Sequence, residues 1–93
     1  MTVRILIPGP LKLLTGGQGA VDVQTSGRTL NDALAALFTA YPTLRDRVVT
    51  EQGEIRQHVN VFVGKDESRL TGGLATRVAD GAEISIIPAI SGG

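Results

Sequence analysis

The sequence predicts an α+β domain in which a mixed sheet of four to five strands packs on one main helix. Two patterns carry that expectation. Four short stretches rich in Val and Ile alternate apolar and polar residues with the period of a half-buried strand. Between the second and third, apolar residues recur at helical spacing over about three turns.

Taken in order, Val3, Ile5 and Ile7 alternate with Arg4 and Leu6 and are stopped by Pro8-Gly-Pro10. Beyond the turn-forming Gly16-Gly-Gln-Gly19, Val21 and Val23 alternate with Asp22 and Gln24. The first two strands therefore read as a hairpin with a long connection, broken by Ser26-Gly27. Thr29 is placed to cap a helix and Asp32 to favour its positive end. Leu30, Ala33, Leu34, Leu37, Phe38 and Tyr41 form the helix's single apolar stripe, and Pro42 stops it. Thr43 to Val49 reads as a short second helix or a turn, and Glu51-Gln-Gly-Glu54 as a polar connection. Val59, Val61 and Val63 alternate with Asn60 and Phe62 in a third strand that ends at Gly64-Lys-Asp66. A further short strand is expected within Leu70 to Thr76, and Asp80-Gly81 is a strong turn dipeptide. Ala82 to Ile87 forms the last strand, whose pairing Pro88 ends.

One helix can cover one face of such a sheet. Val3, Ile5, Ile7, Val21, Val23, Val59, Val61, Val63, Ile84 and Ile86 account for that face. Alternation sends Leu6, Phe62 and Ile87 to the opposite face, where no second long helix covers them. If the first, third and last strands are neighbours, these three form one exposed patch, the kind of feature that marks a docking site.

Composition narrows the function. At 93 residues the chain suits one domain, residues 1–93, and folding at this size buries only about 60–65% of the unfolded surface. Apolar residues make up 42% and charged residues 19%, which suits a globular core. Nine basic residues balance nine acidic ones, against the basic surplus of a nucleic-acid-binding domain. No run approaches the length of a membrane span, and the apolar start is too short for a signal peptide, so a cytoplasmic protein without nucleic-acid or membrane partners is expected. With no cysteine, disulfides, thiolate metal sites and cysteine nucleophiles are excluded.

Catalytic groupings are scarce. His58 is the single histidine, so paired-histidine metal motifs are excluded, and nothing in the sequence beside it suggests a nucleophile or base. Gly16-Gly-Gln-Gly19 matches no nucleotide-binding loop. Glu51, Glu54, Asp66 and Glu67 read as solvated loop carboxylates. The chain is expected to be no enzyme by itself and to bind no metal or cofactor. Its distinctive stretch is the last one, Pro88-Ala-Ile-Ser-Gly-Gly93. A Gly-Gly end is the thinnest peptide available, able to enter a narrow channel and present an unhindered carboxylate. The expectation is a flexible tail over about residues 88–93.

One helix, Val59-Asn-Val-Phe-Val63 as middle strand, the Asp80-Gly81 turn and a final strand followed by Gly-Gly resemble the MoaD/ThiS family of ubiquitin-like, β-grasp sulfur carriers. Within it, Thr15-Gly-Gly17, Gly72-Gly-Leu-Ala-Thr76, Ala79-Asp-Gly81, Ile87-Pro-Ala89 and Gly92-Gly93 resemble the CysO type.

The resemblance implies that Gly93 is the residue adenylated and thiocarboxylated, and that Ser91 and Gly92 enter a partner's active site. Leu6, Phe62 and Ile87 would be the docking residues. It implies as partners an adenylating and sulfurating enzyme of the ubiquitin-activating type, which uses ATP, a sulfur-acceptor synthase and a metalloprotease. The sulfur would go to cysteine or to a metabolite such as a thiosugar. A ubiquitin-like protein modifier, a molybdopterin synthase small subunit and a plain interaction module remain alternatives.

Overall fold

The computed structural model describes residues 1–88. Five strands form one mixed sheet: β1 (Thr2–Leu6), β2 (Ala20–Gln24), β3 (Val59–Val63), β4 (Asp66–Glu67) and β5 (Glu83–Pro88), in the order β2-β1-β5-β3-β4. β5 runs parallel to β1 and antiparallel to β3. Helix α1 (Leu30–Ala40) lies on one face, followed by the single-turn helix α2 (Arg45–Val48).

α1 starts where Thr29 predicts. The Thr29 hydroxyl accepts from the Asp32 N–H at 3.2 Å, and the Asp32 carboxylate accepts from the Thr29 N–H at 3.3 Å, a reciprocal capping box. Gly27 belongs to this device, because a side chain there would collide with the Asp32 carboxylate. Leu30, Ala33, Leu34 and Leu37 are fully buried against Val3, Ile5, Val61 and Ile84 of the sheet, with Leu44, Val48 and Val49 closing the far side. Phe38 and Tyr41 flank this core. Of the expected sheet face, Val63 alone is only partly buried, since it sits at the hairpin end of β3.

Two local expectations are corrected. The short strand is not within Leu70 to Thr76; that stretch holds two 3-10 turns, Ser68–Leu70 and Gly73–Ala75. The fourth strand is instead Asp66–Glu67, folded back on β3 across Gly64-Lys65, with Gly64 at φ 61°. The last strand is Glu83–Pro88 rather than Ala82 to Ile87: Pro88 is itself paired, opposite Val59, as the final residue of β5. Val59 donates its N–H to the Arg56 carbonyl at 3.0 Å, so no ladder bond is lost through the proline's missing donor. As β1 pairs antiparallel with β2, the expected hairpin forms with its long connection. It carries a 3-10 helix, Gly9–Thr15, closed by Gly16 and Gly17 at φ 69° and 89° and by the buried Thr15 hydroxyl, which lies 2.9 Å from the Lys12 carbonyl and 2.8 Å from that of Gln18.

The Asp80-Gly81 turn does form, and it anchors the start of β1. Asp80 accepts from the Thr2 N–H at 2.8 Å, and the Gly81 N–H reaches the Thr2 carbonyl at 2.8 Å.

Candidate functional site

β5 is the middle strand of the sheet; its pairing with β1 reaches Ser85, and its last described residue, Pro88, stands opposite Val59 of β3. Gly93, Gly92 and Ser91 lie outside the described residues. The candidate site is therefore built from what surrounds Pro88.

On the face away from α1, strand register brings the expected docking residues together. Leu6 stands beside Ser85, and Ser85 beside Phe62, so the three share one rung across β1, β5 and β3. Ala20 and Glu67 extend the rung to the sheet edges. Ile87 lies one step further toward the end of β5, opposite Asn60. Ile87 is 45% exposed. Leu6 and Phe62 are half-buried rather than exposed, because each is flanked by a neighbouring strand on both sides. None of the three belongs to the core or packs against it.

A polar rim surrounds this apolar centre. Arg4 donates from Nε to Asp22 at 3.1 Å, a contact that raises the guanidinium above its ordinary pKa, with Glu83 adding to the effect. On the other edge Arg69 donates to the Asn60 side chain at 2.7 Å and to the Arg56 and Val59 carbonyls, both at 2.8 Å, and lies 3.5 Å from Glu67. It thereby ties the start of β3, which pairs with the end of β5, to the turn after β4. An apolar centre inside a polar rim is the anatomy of a protein–protein interface.

The opposite side of Pro88 is different. Pro10, Leu11, Val59, Ile86 and Pro88 line a hollow of about 150 Å³ edged by Arg47 and His58. His58 is exposed at the mouth of that hollow. Glu51, Glu54 and Asp66 are exposed, and among the described residues no grouping of His, Asp and Glu could hold a metal ion.

Sequence reasoning missed Ala20, Ser85 and Arg69, whose parts depend on strand order. It also missed the exposure of Leu13 (90%) and Leu70 (82%), both held on 3-10 turns that leave no periodic signal.

A five-stranded mixed sheet gripping one helix, with an open apolar face beside the end of its central strand, narrows the possible relatives, and comparison decides among them. The ThiS family pattern matches residues 5–93. The chain belongs to the ThiS family. It is 37% identical over 95 residues, 100% of each chain, to the sulfur carrier protein CysO of Mycobacterium tuberculosis. It is also 40% identical over 78 residues, 83% of this chain and 85% of the relative, to small archaeal modifier protein 1 of Haloferax volcanii. Among solved structures, a chain of the Amycolatopsis orientalis BexX/CysO complex superposes with a TM-score of 0.87 at 31% identity, covering 98% of this chain and 99% of that one.

This ThiS-family protein is thus a CysO homologue with the ubiquitin-like β-grasp fold. Among its described residues no helix is long and apolar enough to cross a membrane.

Proposed function

We propose that this ThiS-family protein carries sulfur as a thiocarboxylate on Gly93 and delivers it to a partner enzyme. The observation that carries this reading is its full-length 37% identity to a sulfur carrier protein. A partner of the ubiquitin-activating type binds the domain through Leu6, Phe62 and Ile87 and receives Ser91, Gly92 and Gly93. A Gly93 carboxylate oxygen attacks the α-phosphorus of ATP, and pyrophosphate leaves. Hydrosulfide then attacks the acyl carbon, losing its proton, and AMP leaves with the electron pair of the broken C–O bond. The thiocarboxylate is an ionised, soft nucleophile, aimed at an electrophile held on an acceptor synthase. The carrier supplies address and tether and binds no cofactor of its own; the chemistry belongs to the partners, which gain from holding the sulfur at high effective concentration. The acceptor class is cysteine or a sulfur-containing metabolite such as a thiosugar. In the cysteine case a metalloprotease releases the product from the carrier.

A second reading is protein modification, favoured by the 40% identity to a small archaeal modifier protein. The adenylate is common to both, and the product discriminates. After incubation with the activating enzyme, ATP and sulfide, the intact mass should rise by the difference between one sulfur and one oxygen atom. Adducts on lysines of other proteins, with no thiocarboxylate, would overturn the carrier reading in favour of the modifier.

A further inference from the structure

The two sides of the β5 terminus differ in chemistry. On the open face the surroundings are apolar, centred on Leu6, Phe62 and Ile87. On the helix side, the hollow beside Pro88 has an apolar floor and two basic side chains at its edge, Arg47 and His58. A neighbouring hollow shares those two and adds Arg56 and Asp46. Arg47 is exposed on α2, and no ion pair engages it among the described residues. The acid closest in sequence, Asp46, turns its carboxylate to Arg45 at 3.9 Å, while its backbone carbonyl accepts from Arg56 Nε at 2.6 Å. Among the described residues the cluster thus keeps two guanidinium charges without a carboxylate partner, in a chain whose total charge is zero.

We propose that Arg47 and Arg56, with His58 beside them, form a second docking element that receives an acidic lip of the enzyme whose channel takes the Gly-Gly end. This deepens the carrier reading and rests on it. The partner would grip the β5 terminus from both sides: apolar contact on the open face, charge on the helix face. Three observations favour an acidic protein surface over a nucleic acid. The cluster is small, it borders an apolar floor suited to side chains rather than phosphates, and the chain as a whole carries no basic surplus. Charge at an interface rim acts chiefly on the rate of encounter and is screened by salt. Arg47 is the cleaner probe, because Arg56 also braces the chain through Asp46.

The test uses the full chain and the ubiquitin-activating-type enzyme of the same organism. Binding is read without ATP, and kcat and KM are read separately from ATP–pyrophosphate exchange, for wild type, Arg47→Gln and Arg47→Glu. At about 50 mM salt, the affinity and kcat/KM should fall about three-fold for Gln and about ten-fold for Glu, with kcat unchanged, and at about 500 mM salt the three proteins should converge. Equal affinity and equal kcat/KM in all three at low salt would overturn the proposal while exchange itself upheld the carrier reading. Conversely, graded, salt-sensitive binding without any exchange would uphold the contact and sink the chemistry assigned to Gly93. Micromolar binding of wild type to a single-stranded oligonucleotide, lost in Arg47→Glu, with enzyme affinity unaffected, would reassign the cluster to nucleic acid and overturn the proposal.

Discussion

The two faces of this sheet obey the same alternation and meet opposite fates. On the helix side Val3, Ile5, Val61 and Ile84 are at most 1% exposed, sealed by four buried residues of α1. On the other side Leu6, Phe62 and Ile87 come from three neighbouring strands and nothing among the described residues covers them. A helix of eleven residues can close one face of a five-stranded sheet and no more. Apolar residues on the first face therefore stabilise the fold. Those on the second contribute little to folding and remain available for association, which separates two kinds of mutation.

The sharpest contrast lies within one strand. Ile84 and Ile87 are three positions apart in β5, one fully buried and one 45% exposed. Ile84→Ala should destabilise the protein by about 3 kcal/mol through lost burial and a cavity, whereas Ile87→Ala should stay within about 0.5 kcal/mol. Chemical denaturation of the two variants checks this, and equal losses would show that the open face is covered after all.

Phe62 provides the reverse effect. Phe62→Asp should leave stability within about 1 kcal/mol of wild type, because the side chain stands outside the core. The same change should weaken binding to the activating enzyme by about 2 kcal/mol, or about thirty-fold, if Phe62 anchors the interface. Calorimetric titration reads the affinity. Unfolding of the variant would mean that the patch belongs to the core.

Much of this division is legible in the sequence, and its limits have physical causes. The four longer strands and the capped helix follow from periodicity and local hydrogen bonding, which are properties of neighbouring residues. Asp66–Glu67 is too short to alternate and is a strand only because the Gly64-Lys65 turn lays it against β3. The 3-10 turns at Gly9–Thr15, Ser68–Leu70 and Gly73–Ala75 have no apolar period to betray them. Alternation names the face of Leu6, Phe62 and Ile87, but not their adjacency, which requires β5 to insert between β1 and β3. The basic cluster is further out of reach still. It joins Arg47 of α2 to His58 and to Pro88, residues that only the tertiary fold places together.

The smallest effect closes the contrast from the helix side. Thr29→Ala removes the hydroxyl that accepts from the Asp32 N–H and leaves Asp32 with only the Thr29 backbone to bind. Losing such a cap costs about 1 kcal/mol. The loss falls on the first turn of α1, next to Leu30, whose N–H is already held by the Thr76 carbonyl at 2.8 Å. That tie limits fraying to the cap itself, so the core below should stay closed. Thr29 belongs neither to the face of Leu6, Phe62 and Ile87 nor to the hollows lined by Arg47, Arg56 and His58, so affinity for the activating enzyme should match wild type while the thermal midpoint falls by several degrees. Set beside Phe62→Asp, this makes a double dissociation: one variant loses stability and keeps its partner, the other loses its partner and keeps stability. Reduced affinity in Thr29→Ala, measured where the protein is fully folded, would show that helix packing and the docking face are mechanically coupled through the sheet.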